Sequence, residues 1–397
     1  MNTHHYIIIL HTMETDYITK DDTIIFSPTF NEPLNSELLI GYKKIIFSDW
    51  ELNDSLFDAY ENNVFSNLKY YGSKFNQPLG NSLDKLTSLT HLTFGRGYNQ
   101  LLGNSLNNLT SLTHLTFGIS FDTRLFHSLD TLKSLTHITF GSYFNQPLSY
   151  SLYNLTALTH LTFGSGFNQH LGHSLYYLTS LTHLTFSIYY NQPLKNSLNN
   201  LASLTHLNFG PEFNQPLGNS LNNLSSLTHL KFGSKFNQPL ANSLDNLTSL
   251  THLTFGDTFN HPLGNSLDNI TNLIHLGLGY DFNQNENLPF NITSLYINSN
   301  NTYYIDYLPD SIEDLELGPD FHLELANLPS SIKKIIFNKK SYYCKKLNCL
   351  PNGLEIIGLP AGYKHQIQNI PPELKKLICL KNYPFINDFV GIEVEIY

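Results

Sequence analysis

Apolar residues recur along this chain with two spacings in alternation. Leu83, Leu86 and Leu89 stand three apart, Leu92 and Phe94 stand two apart, and Tyr98 follows a polar gap. Spacing by three places side chains on one side of a helical or 3-10 turn, and spacing by two places them on one face of a strand. Each unit is therefore predicted to be a turn followed by the strand His91-Leu92-Thr93-Phe94. The pattern returns every 23 residues, at Phe75, Tyr98, Phe121, Phe144, Phe167, Tyr190, Phe213, Phe236, Phe259 and Phe282, with no insertion or deletion. A unit this short cannot bury its own apolar face, so the units must stack as a repeat solenoid. Its strands would form a continuous parallel β-sheet on one face, with short 3-10 or helical turns and extended segments on the other.

The polar positions refine this unit. Gly95 is expected to end the strand through a turn conformation, Pro78 to hold an extended segment, and Ser82 to cap the turn that begins at Leu83. Asn76, Asn99, Asn145, Asn168, Asn191, Asn214, Asn237, Asn260 and Asn283 follow the aromatic in successive units, with Asp122 replacing Asn once. A buried Asn at a fixed height can satisfy the main chain of adjacent coils, so the column is expected to be a structural ladder.

Weaker units flank this block. Thr23–Phe26, Lys44–Phe47 and Asn67–Tyr70 read as strands upstream. Downstream a Leu-Pro-x-Ser-Ile theme, with prolines at 289, 309, 329, 351 and 371, predicts strands centred on Leu295, Leu315, Ile335, Ile357 and Leu377. Gly391–Tyr397 alternates like a capping strand. The chain thus divides into an N-terminal cap with degenerate coils (1–74), ten copies of the 23-residue repeat (75–284), degenerate coils (285–379) and a capping segment (380–397), expected to form one continuous solenoid of about 17 coils.

Leu89-x-x-Leu92-x-Phe94 is similar to the strand segment of leucine-rich repeats, and ten copies of the Phe/Tyr-Asn-Gln-Pro-Leu theme across 75–284 closely resemble the FNIP repeat proteins of giant DNA viruses and social amoebae. The resemblance implies a leucine-rich-repeat-like fold with a concave sheet face. Some members of that family join the repeats to an F-box and resemble substrate receptors of ubiquitin ligases. Here the first coil starts near Thr23, leaving less than the helical module an F-box needs, so an F-box-less relative of such receptors is one expectation.

Composition narrows the partners. The formal charge is −10, but 75–282 holds 7 basic and 8 acidic residues, so the acidity lies in the flanks. No basic stripe exists to release counterions, which argues against nucleic acid. No apolar stretch has the length to span a bilayer, and no secretory signal precedes the apolar run Tyr6–Leu10, so a cytoplasmic protein (host cytoplasm if viral) with no membrane association is expected. Cys344, Cys349 and Cys379 lack zinc-site spacing and read as free buried thiols.

His91, His114, His137, His160, His183, His206, His229, His252 and His275 share one repeat position. With Leu92 and Phe94 facing the core, this column and the accompanying Thr column face the opposite side of the sheet. A stacked polar ladder produced by duplication is the plainest account. Metal binding is a second alternative, although a straight row offers two ligands per ion where zinc wants a convergent four. Variation concentrates in the residues after each strand, which include Arg96, Tyr143, Tyr189, Glu212, Lys235, Asp257 and Tyr280. Loops on a rigid scaffold are common binding positions. No phosphate loop, His-Glu-x-x-His, Gly-x-Ser-x-Gly or repeated carboxylate pair is present, so the expectation is a protein-interaction scaffold with no catalytic, metal or cofactor site.

Overall fold

The computed structural model describes residues 16–397 apart from Asp54 and Asn67, so Tyr6–Leu10 lies outside the described residues. The chain forms two compact units, 1–204 and 205–397, whose boundary falls inside the 23-residue repeat block. In the first unit β1 (Tyr17–Lys20) pairs antiparallel with β2 (Thr23–Phe26). Parallel strands follow: β3 (Lys44–Phe47), β4 (His91–Thr93), β5 (His114–Thr116), β6 (His137–Thr139), β7 (His160–Thr162) and β8 (His183–Thr185). The second unit runs β9 (His206–Asn208), β10 (His229–Lys231), β11 (His252–Thr254), β12 (His275–Leu278), β13 (Ser294–Ile297), β14 (Asp314–Leu317), β15 (Lys334–Phe337), β16 (Ile356–Gly358), β17 (Lys376–Cys379) and β18 (Glu393–Ile396), all parallel. Register is strict, with His91 beside His114 and Leu92 beside Leu115.

Each coil buries the same set. In one coil Leu83, Leu86, Leu89, Leu92, Phe94 and Tyr98 are all at most 2% exposed. The aromatics stack within a coil, Phe94 on Tyr98 at 4.0 Å, and between coils, Phe94 on Phe117 at 5.9 Å. Such geometry adds to the area term for ring burial. The turn that carries the leucines closes through Leu86 N–H to Leu83 C=O and Leu89 N–H to Leu86 C=O, three-residue bonds of the 3-10 kind.

Of the expected strand Asn67–Tyr70, Asn67 lies outside the described residues and Leu68–Tyr70 is not a strand. Lys44 pairs directly with His91, so no strand stands between β3 and β4 in the sheet, and Tyr70 makes a single bridge to Trp50. The excursion between them contains helix α2 (Ser55–Asn62), following the short α1 (Ser36–Leu39). Leu56 and Phe57 pack on Ile25 and Ile46, with Trp50, Leu52, Tyr60, Phe65 and Leu68 around them. Ile25 and Ile46 stand where later strands carry Thr, on the face away from the main core. Two strands apolar on both faces need a cover, and the excursion supplies it.

Three local expectations change. The Gly95 column is set by close approach and not by a turn conformation: a Cβ on Gly118 would stand 1.8 Å from Gly95 C=O, and one on Gly141 1.7 Å from Gly118 C=O. Positive φ occurs instead at Gly80, Gly103, Gly172, Gly218 and Gly264, and in the same column at Phe126, Ser149, Lys195 and Ala241. Ser82 does not accept from the turn amides; its hydroxyl donates back to Leu79 C=O. Of the cysteines, Cys379 is buried, with desolvation raising its thiol pKa, while Cys344 and Cys349 are exposed because they lie outside the strands.

These two glycine columns separate by substitution. Gly141→Ala is expected to destabilise by about 1–3 kcal/mol through overpacking against backbone that cannot yield. Lys195→Gly removes a left-handed side chain and should cost nothing, gaining up to about 1 kcal/mol. Urea melts of both variants check the pair; an Ala at 141 that melts like the parent contradicts the close approach.

Candidate interaction surfaces

One edge of each unit is built from the pairs of residues after the strands. The second residue of each pair donates its N–H to the first residue of the preceding pair: Ser120 to Arg96 C=O, Tyr143 to Ile119 C=O, Gly166 to Ser142 C=O and Tyr189 to Ser165 C=O. The second unit repeats this, with Lys235 to Pro211, Thr258 to Ser234 and Asp281 to Asp257. The turns are thus stapled by main chain, which leaves their side chains unconstrained by the fold. Tyr143 is 60% and Tyr189 58% exposed, and Tyr280, Asp257, Lys235 and Arg96 also face solvent. Lys235 and the half-buried Glu212 neutralise each other in an ion pair of 2.7 Å. The Arg96 guanidinium reaches the Tyr70 hydroxyl at 3.4 Å.

The histidine column lies on the sheet face opposite the main core, half-buried. In the first unit the rings stack face to face, with centroids 4.2 Å apart from His91 to His114, 4.1 Å from His114 to His137, and 4.2 Å from His137 to His160 and from His160 to His183. In the second unit His206, His229 and His252 stack likewise, and His275 sits 5.6 Å from His252. The threonine before the ring fixes its orientation in every coil but the last, where Ile274 precedes His275 and Ser294 Oγ lies 2.8 Å from its Nδ1. Thr113 Oγ1 donates to Thr90 C=O at 3.0 Å and lies 2.9 Å from His114 Nδ1. A carbonyl only accepts, so the hydroxyl proton goes there, and the neutral ring must supply its proton at Nδ1. The same relation holds at His91 and His137, leaving Nε2 of each as the acceptor. Parallel rings aim their lone pairs side by side. Among the described residues no group of three or more His, Cys, Asp or Glu converges to hold a metal ion.

Desolvation lowers the pKa of His91, His114, His137, His252 and His275, with neighbouring imidazoles adding to it, and Lys44 acting on His91. His114 is pushed down to about 4.

The asparagine ladder runs along the opposite, extended side. Asn145 Oδ1 accepts from Asn168 N–H at 2.9 Å and Gln169 Nε2 at 3.2 Å, and Asn168 Oδ1 accepts in turn from Asn191 N–H and Gln192 Nε2. Asn76 and Asn99, and Asn214, Asn237, Asn260 and Asn283, follow the same scheme. The asparagines are exposed or half-buried, contrary to the expected burial, because their bond runs along the surface of the stack. Asp122 is no break: its Oδ1 accepts from Asn145 N–H at 2.8 Å and Gln146 Nε2 at 3.0 Å. The role needs only an acceptor, which a carboxylate supplies.

A cleft of about 500 Å³ opens in the first unit where the excursion ends and the Thr face begins. Trp50, Tyr60 and Phe65 wall it, and Thr93, Thr116 and Ile119 continue it. Asp49 Oδ1, at its side, takes the backbone N–H of Ser73 and of Arg96, each at 2.6 Å. The sequence reading missed this cleft. Its signal was the double-faced apolar character of Thr23–Phe26 and Lys44–Phe47.

One parallel strand and one 3-10 turn per coil define a leucine-rich-repeat-like solenoid. Within that class the FNIP Repeat family matches residues 300–340, over α3 (Tyr303–Asp306), β14 and β15. The match lies on the Leu-Pro-x-Ser-Ile coils and not on the 23-residue block. Among solved structures the chain is similar to CroV588, a circular leucine-rich-repeat protein from a giant virus (CroV), at 27% identity and TM-score 0.51, covering 92% of this chain and 67% of that one. A leucine-rich-repeat protein of Leptospira interrogans matches at 16% identity and TM-score 0.55, covering 80% and 86%. An internalin of Listeria monocytogenes matches at 19% and 0.50, covering 80% and 87%. The two bacterial proteins share the fold alone. No curated protein matches.

Two outcomes follow from the columns. Asn168→Ala should cost about 0.5–1.5 kcal/mol by removing the acceptor of the half-buried Asn191 amide, whereas Asn168→Asp should be tolerated as Asp122 is. Equal melting of the Ala variant and the parent contradicts the ladder. For the imidazoles, the folded chain takes up protons less readily than the unfolded one. Stability is therefore full above the unfolded value of about 6.5, declines as pH falls below it, and levels near 4 for His114. Urea midpoints between about pH 6.5 and 5, above the carboxylate range, should fall in the parent and flatten in the His91→Gln, His114→Gln, His137→Gln triple variant.

Proposed function

We propose that the chain is a non-enzymatic protein–protein interaction scaffold that binds through its edge turns. The observation that carries this reading is the separation of labour at those turns: main-chain bonds one coil apart hold the backbone, while Tyr143, Tyr189 and Tyr280 project into solvent without a packing role. Exposed aromatics on a rigid support lose little entropy on binding and are favoured anchors at interfaces. The leucine-rich-repeat class supports the reading, and the likeness to CroV588 supports a giant-virus setting. The edge carries Arg96 and Lys235 against Glu212, Asp257 and Asp281, with Lys235 paired to Glu212, and this lack of positive excess favours a protein surface over a polyanion.

In-cell crosslinking with mass spectrometry identifies the partner, and titration calorimetry then measures it. Tyr143→Asp with Tyr189→Asp should weaken binding at least about tenfold, with melting changed by less than about 0.5 kcal/mol. Unchanged affinity in the double variant assigns binding elsewhere.

A further inference from the structure

The repeat provides its own control for which side chains the fold demands. At the 3-10 turn, the position before the conserved Ser is Asn in six of nine coils (Asn81, Asn104, Asn196, Asn219, Asn242 and Asn265), and the position three later is Asn or Asp in seven. The turn closes identically whichever residue stands there: Asn107 N–H to Asn104 C=O at 3.0 Å, Tyr153 N–H to Tyr150 C=O at 3.0 Å, Tyr176 N–H to His173 C=O at 3.0 Å. Two adjacent coils nevertheless replace these polar residues with Tyr150, Tyr153, His173 and Tyr176, and a third position with Tyr177. The fold requires none of these five rings.

They form one patch. Tyr150 meets Tyr153 edge to face at 4.8 Å, Tyr153 meets Tyr177 at 4.8 Å, Tyr177 meets Tyr176 at 5.0 Å, and His173 meets Tyr176 at 6.1 Å. Tyr150 is 65%, Tyr176 46% and Tyr177 48% exposed. In the preceding coil the equivalent positions hold the His127–Asp130 pair at 2.9 Å, so that carboxylate is already engaged.

We propose that this patch is a docking site for a proline-rich, extended segment of a partner protein. Size argues for a short segment. The exposed parts of these rings sum to about 400 Å², taking 150–250 Å² per aromatic side chain, against about 800 Å² per partner in a stable dimer. Charge argues for a neutral ligand, since none of the five is Asp, Glu, Lys or Arg. Ring geometry argues for proline: edge-to-face rings make furrows instead of a flat plate, and pyrrolidine rings of a polyproline helix seat in aromatic furrows. Its carbonyls, free of internal hydrogen bonds, accept from phenolic hydroxyls. The patch is separate from the edge turns and does not rest on their role.

The test is fluorescence anisotropy of the full chain with labelled decaproline, with a Gly-Ser peptide of equal length and maltoheptaose as comparators. Decaproline should bind with saturation, the Gly-Ser peptide should not, and Tyr150→Asn with Tyr176→Asn and Tyr177→Asn should weaken binding at least about tenfold. Asn is native to these positions in other coils, so the triple variant should keep the parent's melting curve. Tyr143→Asp with Tyr189→Asp should leave decaproline binding unchanged, which separates this site from the edge turns. Absence of saturable binding up to millimolar peptide, equal binding by the triple variant, binding of maltoheptaose in place of decaproline, or self-association that the triple variant abolishes would each overturn the proposal.

Discussion

Every coil gives its unsatisfied main-chain and side-chain groups to the same atoms one coil away, and that constraint governs the molecule. At the glycine column the approach is closest: Gly118 lies so near Gly95 C=O that no Cβ fits. Strand bonds, the edge staples and the Asn acceptors all repeat at the same offset. A single residue inserted in one coil would misalign all of these at once. Solenoid stability is a sum of coil and neighbour terms, so one misaligned interface weakens both coils it joins. The absence of any insertion between Phe75 and Phe282 is what such coupling requires.

The same constraint explains what could be read from residues alone. Period and apolar spacing specify strand and turn, so β4 to β12 and their core were legible, as were β13 to β17 from their prolines and centring residues. Asn67–Tyr70 misled because a strand-like string says nothing about what it pairs with, and β4 had already taken that edge of β3. The cue lay in Ile25 and Ile46, apolar on the face where later coils are polar. Gly95 was assigned the correct importance for the wrong reason, since distance to another coil is invisible in sequence while conformational freedom is the familiar property of glycine. At Asp122 the residue type changes although the acceptor the ladder needs does not, a constancy that residue identity alone does not display.

The histidines show how repetition turns one residue into a column. Nine copies at one position invite a metal reading, yet from His91 to His252 the Thr hydroxyl before the ring ties Nδ1 and the rings stack in parallel, an arrangement suited to packing between coils and unsuited to convergence on one ion. At His114, His137, His252 and His275 the pKa depression comes first from burial and only then from other imidazoles, and at His91 from burial and then from Lys44.

Uniformity along the stack therefore reports what the fold needs, and departure from it reports what the fold merely permits. The His and Asn columns belong to the first kind, since each copy serves its neighbour. Tyr143, Tyr189 and the rings around Tyr153 belong to the second, because coils lacking them close by the same hydrogen bonds. Permission alone would fill such sites with small polar residues, as it does at Asn104 or Asn219. Large exposed rings there carry a solubility cost that a random surface position has no structural reason to bear. Their clustering on two adjacent coils, in mutual contact, concentrates that cost on one surface, which is the arrangement expected when something outside the chain covers it.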